Sequence, residues 1–138
     1  MKTLTAHITD YDMKRLKGFL QKPQNWPQED AELLSKLDSK LNEASVIPQK
    51  EAPSYLVTMN CHVRVADLGS KKDMKFWLAY PYEAMSGNDK ISVASDIGMA
   101  ILGLKVGDKV EVIGKNKKTQ LRIAQIYYQP EDNKHYKL

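Results

Sequence analysis

The sequence holds a single cysteine, Cys61, in 138 residues. No internal disulfide can brace the fold, and a cytoplasmic address is the simplest reading. No apolar run approaches the roughly 20 residues needed to cross a bilayer. Met1-Lys2-Thr3-Leu4-Thr5 lacks the apolar core of a signal peptide, so no membrane partner is expected. The seven glycines are scattered, which removes a phosphate-cradling Gly-rich loop. There is also no Gly-x-Ser-x-Gly turn to carry a nucleophile. His7, His62 and His135 lie in three separate segments without metal-ligand spacing. No catalytic residue, metal or cofactor is therefore assigned, and a binding protein is expected rather than an enzyme.

What is present is ordinary for a soluble globular chain: 42% hydrophobic and 28% charged residues, with a net charge of +4. Residues 1–50 carry 8 Lys/Arg against 7 Asp/Glu, and residues 51–138 carry 13 against 10. The only basic block is Lys115, Lys117 and Lys118. Nucleic-acid binders usually gather basic charge on one face or helix. Here both signs interleave along the chain, so a solvated surface is the better explanation and DNA is expected to be met only indirectly.

The first fifty residues read as two helices. Thr9 can cap a helix with Asp12 three residues on, and Asp10 and Asp12 suit its positive start. Met13, Leu16 and Leu20 follow at helical spacing. Lys22-Pro23-Gln24-Asn25-Trp26-Pro27 cannot continue that helix. Pro27 suits the first position of a second helix. Leu34, Leu37, Leu41 and Ala44 form its heptad-like seam. The pattern predicts a short antiparallel helical hairpin over 1–50, whose second helix of about 19 residues reaches only ~28 Å. Its tip would present Trp26, Glu29, Asp30 and Glu32. Such acids could hold Mg²⁺ through water, but complementing the helix dipole is the favoured role.

After the linker from Pro48 to Pro53 the period changes to two. Val57, Met59, Cys61, Val63 and Val65 alternate with polar residues, predicting a half-buried strand with Cys61 inward and His62 toward solvent. Cys61 reads as a small buried hydrophobe. Gly69–Asp73 predicts a turn, Met74–Tyr80 a strand ended by Pro81, and Ile91-Ser92-Val93 a short strand. Ser95 caps a short helix that ends before Gly103. Lys109–Ile113 is the next strand, and Gly114–Lys118 closes a hairpin. In Leu121–Tyr128 the apolar phase slips from Leu121 and Ile123 to Ile126 and Tyr128, predicting a β-bulge near Ala124-Gln125. Trp26 and Trp77 are candidate binding anchors.

The stretch Ile91-Ser92-Val93-Ala94-Ser95-Asp96-Ile97-Gly98-Met99-Ala100-Ile101-Leu102-Gly103-Leu104-Lys105-Val106-Gly107-Asp108-Lys109-Val110 resembles the C-terminal signature of the bacterial GreA/GreB transcription elongation factors. It has the same short strand, Ser-capped helix and Leu-Gly-x-x-x-Gly-Asp turn. Val57-Thr58-Met59-Asn60 and Tyr127-Tyr128-Gln129-Pro130-Glu131 are similar to the regulator of nucleoside diphosphate kinase subfamily. The resemblance covers roughly residues 55–131.

It implies an α+β chain: the hairpin over 1–50, then an FKBP-like antiparallel sheet with one helix over 51–138. It further implies docking on RNA polymerase at the rim of the secondary channel, through Ala94, Ser95, Asp96 and Ile97. Gre factors commonly have an acid, a Ser and a Pro there, and this chain has Ala94, Ser95 and Asp96. Prolyl isomerase activity does not come with the shape. Gre factors stimulate transcript cleavage with carboxylates at the tip of a long hairpin, whereas this hairpin is several turns shorter. The expectation is a regulator, a monomer since nothing in the sequence demands more, that competes with Gre factors without stimulating cleavage. The alternatives are a cleavage stimulator using the tip acids and a general protein-interaction module.

Overall fold

The structure is a computed structural model that describes residues 5–22, 31–84, 89–114 and 117–138. The chain opens with strand β1 (His7–Thr9) running directly into helix α1 (Asp10–Leu20). Thr9 caps α1 as expected, its Oγ1 accepting the Asp12 N–H at 3.1 Å. Helix α2 (Ala31–Glu43) buries Leu34, Leu37 and Leu41 on one stripe. The expected start of that helix at Pro27 lies outside the described residues, as do Trp26, Glu29 and Asp30. The chain leaves α2 through β2 (Ser45–Ile47), which pairs in parallel with β1. This small ribbon had no signal in the sequence, because three residues are too few to show a period.

The second part is a five-stranded sheet built from β3 (His62–Asp67), β4 (Lys72–Ala79), β5 (Lys90–Ser92), β6 (Lys109–Ile113) and β7 (Lys118–Tyr128), in the order β5-β4-β3-β7-β6. Short helix α3 (Pro81–Ala84) follows β4, and α4 (Asp96–Ile101) follows β5. The sheet is not wholly antiparallel: β5 runs parallel to β4. A parallel pair needs a crossover connection, and α3 lies in the one between β4 and β5.

The alternation over Val57–Val65 also has a different cause from the one expected. Only His62 onward is strand. Leu56, Val57, Thr58 and Met59 are all buried, so the polar position is not solvated. Instead Thr58 Oγ1 donates to Glu131 Oε1 at 2.7 Å, and Asn60 turns the chain at φ 66°. The expected bulge is present. Between Val65↔Ile123 and Arg64↔Gln125, Ala124 is extra on β7. A second bulge lies between Val63↔Ile126 and His62↔Tyr128, leaving Tyr127 extra. Tyr128 is thereby placed on the outer face, not with the core residues as the phase slip suggested.

One apolar cluster unites the two parts, joining Ile8, Leu16, Leu37 and Leu41 to Val63, Phe76, Leu78 and Ile123. Two polar contacts fix the root of the hairpin on the sheet. Asp12 Oδ2 accepts the Met59 N–H at 3.0 Å. Lys40 Nζ donates to the carbonyls of Met99 and, at 3.2 Å, Ala100. These carbonyls belong to the last turn of α4 and have no partner within the helix. A cation there also complements the helix dipole.

Burial pushes the Asp12 carboxyl up to about 7, with nearby Glu131 acting in the same sense and the Met59 bond and Arg15 opposing it. Thr9 also lowers it through its hydroxyl, and the Tyr80 and Cys61 side chains lie within electrostatic reach. An unfolded aspartate titrates near 3.8, so the native state binds the extra proton between the two values. The stabilisation is complete at low pH and lost as pH rises through 7. Urea unfolding should therefore show roughly 3 kcal/mol lost between pH 5 and 8 from this group. Asp12→Asn keeps an acceptor for Met59 without the charge and should flatten most of that slope. Glu131, also raised by burial, leaves a smaller residual slope of the same sign. An unchanged slope in the variant would refute the assignment.

Candidate docking site around Ser95

The loop between β5 and α4 is held by a run of local hydrogen bonds. Ser95 has the extended backbone of an N-cap, and its Oγ accepts the Gly98 N–H at 3.1 Å. The same hydroxyl donates to the Ser92 carbonyl at 2.6 Å. Ser92 Oγ accepts the Ala94 N–H at 3.0 Å. Serine is suited to this position because one small hydroxyl can donate and accept at once. Its polar atom is thereby consumed in shaping the loop.

Gly98 completes the arrangement. A Cβ there would lie 2.1 Å from the Ser92 carbonyl oxygen, so only glycine lets α4 approach β5 this closely. Gly103 then ends the helical segment at φ +83°, against Ala6 and the His7 backbone. Its N–H donates to the Val57 carbonyl at 3.0 Å, and the His7 N–H donates to the Gly103 carbonyl at 3.0 Å. The Leu-Gly turn of the motif is thus the place where β1, the 56–59 segment and α4 meet.

Of the four residues expected to contact a partner, Ala94 is 1% exposed and packs inward. Ser95, Asp96 and Ile97 are half-exposed. Asp96 and Ile97 line a groove of about 490 Å³ with Ile91, Val112, Lys117 and Thr119. Asp96 also borders a larger groove of about 880 Å³, where Lys36, Lys40 and Glu43 of α2 face Met99 and Lys109. Asp96 therefore stands on a divide that can be reached from both sides. The Val112 and Thr119 walls come from β6 and β7 and Lys117 from just before β7, and no local pattern tied them to Ser95. Glu32, the described member of the tip set, is exposed in the first turn of α2 and lies 3.7 Å from Lys36.

The remaining candidates resolve as follows. Cys61 is fully buried, and burial pushes its thiol up to about 12, so it is an inert core residue. His62 does not simply face solvent; its ring stacks on Trp77 at 4.4 Å and 6°. Among the described residues no group of His, Cys, Asp or Glu is arranged to hold a metal ion. No described helix is long and apolar enough to cross a membrane.

The profile described as "Transcription elongation factor, GreA/GreB, C-term" matches residues 52–128, which include the whole Ser95 loop and both of its walls. This chain belongs to the GreA/GreB family. The regulator of nucleoside diphosphate kinase of Escherichia coli (strain K12) is 33% identical over 135 residues, covering 95% of each chain. A GreA transcription elongation factor of Thermodesulfovibrio yellowstonii is 31% identical over 96 residues, covering 70% of this chain and 61% of its own. The solved structure of a GreA/GreB transcription elongation factor from Nitrosomonas europaea is 28% identical with a TM-score of 0.70, covering 91% of this chain and 100% of its own. The family read from the Ile91–Val110 motif is thus the family the whole chain supports.

The Gly98 contact is the sharpest local constraint in this GreA/GreB-type loop. Gly98→Ala should force α4 off β5 and cost on the order of 3 kcal/mol, as overpacking against rigid backbone does. Ser95→Ala should cost about 1 kcal/mol through the lost cap. Thermal melts of the two variants would check the order, and a Gly98→Ala protein as stable as the parent would disprove the close approach.

Proposed function

We propose that this chain is a transcription regulator that binds RNA polymerase at the rim of the secondary channel through Ser95, Asp96 and Ile97. In this reading it competes with longer Gre-type factors by occupying their docking place and does not stimulate transcript cleavage. The body over 51–138 supplies the grip, as an FKBP-like unit, and the hairpin over 1–50 supplies an arm. Family membership and the rigid, half-exposed Ser95–Ile97 loop support the docking. Asp96 offers a carboxylate to a cationic partner surface, taking the part of the acid two positions earlier in Gre factors.

The observation that carries the non-cleaving part is the size of the arm. Helices α1 and α2 have 11 and 13 described residues, rises of only ~17 and ~20 Å. Only residues 21–30 connect them. Catalytic help from a carboxylate requires placement to within about an ångström of its target. An arm ending short of a reactive metal contributes nothing to the chemistry, whatever acids it bears. The end-to-end likeness to the regulator of nucleoside diphosphate kinase supports a regulatory role for the chain.

Asp96→Arg should leave the melting temperature within a few degrees, because the side chain is half-exposed, while weakening polymerase binding tenfold or more. That loss corresponds to at least about 1.4 kcal/mol. Competition between this chain and a GreA factor for core polymerase measures it directly. Unaltered competition by the variant would defeat the docking assignment. In a backtracked elongation complex the chain should yield no shortened RNA. Shortened RNA that disappears with Asp30→Ala would instead make it a cleavage stimulator.

A further inference from the structure

The sheet sorts charge in a way the linear sequence conceals. Strand pairing puts Trp77, Lys75 and Asp73 on the same face as His62, Arg64 and Ala66. Arg122, Gln125 and Tyr128 join them from β7, Lys90 from β5, and Lys109 and Glu111 from β6. Lys118 lies opposite Ile113 on that face as well. Its described cations are Arg64, Lys75, Lys90, Lys109, Lys118 and Arg122, and its described acids are Asp73 and Glu111. Both acids lie beside cations of the face, Asp73 at 3.1 Å from Arg64 and Glu111 at 3.7 Å from Lys118. The excess of four positive charges survives those pairings.

The sorting has a physical cause. Aspartates are consumed at turns, where they accept backbone N–H groups. Asp67 Oδ1 takes those of Gly69 and Ser70 at 3.0 and 3.2 Å, and Asp108 Oδ2 takes that of Lys105 at 2.8 Å. Lysine and arginine, useless for that purpose, are left on the strands. The alternating apolar residues turn the other way, into the core.

The centre of this face is aromatic. His62 stacks on Trp77 at 4.4 Å, Tyr127 lies 5.2 Å from His62, and Tyr128 lies 5.5 Å from Trp77. Lys75 Nζ stands 5.8 Å from the Tyr127 ring centre. Tyr127 remains 42% exposed. The bulge at Tyr127 is what brings both tyrosines to this side. Ordinary alternation would turn one of them inward.

We propose that this sheet face binds single-stranded nucleic acid, with bases stacking on Tyr127 and the His62–Trp77 pair and phosphates lying along Lys75, Arg122 and Lys109. An aromatic sheet surface bordered by cations is the arrangement that recognises unpaired bases. A duplex hides its base faces and would gain only the phosphate contacts. An acidic protein would use the cations but not the exposed rings. The aromatic centre of the site lies apart from the Ser95 loop, only its Lys109 edge bordering the groove beside Asp96, and the proposal does not depend on the polymerase reading.

The test is fluorescence anisotropy of the full chain with labelled oligouridylate and oligothymidylate of about 12 nucleotides, near the footprint of one such sheet. A duplex of equal length and polyglutamate serve as competitors. Binding should weaken steeply with salt, and Lys75→Ala should lower the logarithmic slope by about 0.7. Tyr127→Ala should reduce affinity roughly 5- to 100-fold, while Tyr127→Phe, which keeps the ring, should restore it. In a Trp26→Phe background the emission of Trp77 should be quenched as bases stack. RNA bound more tightly than DNA would assign contacts to the 2′-hydroxyl; equal affinity would assign the site to bases and phosphates alone. Either result supports the proposal if the Tyr127 dependence holds. Absence of binding near 50 mM salt would overturn it. So would equal competition by duplex or polyglutamate, or binding insensitive to Tyr127→Ala.

Discussion

The seating of the hairpin on the sheet is the constraint from which the rest follows. Leu16, Leu37 and Leu41 enter the same cluster as Val63 and Ile123, which removes a large apolar area from water. That attraction has little direction. Direction comes from two polar contacts, Asp12 with the Met59 N–H and Lys40 with the open carbonyls at the end of α4. Each sits where rotation of the hairpin would leave a buried polar group without a partner, and that loss is costly. The arm therefore has one orientation relative to the Ser95 loop. This fixed angle decides what the hairpin can reach from the sheet.

The same junction draws α4 into position from both ends. At its start, Ser95 caps the helix and Gly98 lets it lie on the Ser92 carbonyl. At its end, Lys40 accepts the role that another turn of helix would have filled. A helix of six residues has little stability of its own. Its place in this protein is held by contacts made across the chain, so the half-exposed edge of Ser95, Asp96 and Ile97 is rigid without being long.

The sheet adds a second level of order through its two bulges. By inserting Ala124 and Tyr127 into β7, they keep Ile123 and Ile126 in the core while re-aiming the chain around them. One consequence is a closed apolar interior. Another is an outer face carrying four neighbouring rings amid an excess of positive charge. The proposed polymerase contact and the proposed nucleic-acid surface are thus separate products of one framework, the first made by a capped loop and the second by strand register.

Much of this was legible in the residues themselves. Thr9 and Ser95 announced their helices because capping needs only neighbours within three positions. The Ala124 bulge showed as a phase slip because strand period is a local property. The Ile91–Val110 motif carried the family, since its glycines and serine answer to backbone geometry within the motif. Tertiary structure alone decided the rest. It turned β5 parallel, buried Thr58 against Glu131, and set Lys40 on α4 across roughly sixty residues of chain. It also gathered charges that alternate along each strand onto a single face. Such outcomes depend on register and on contacts between distant segments, and local propensity holds no record of either.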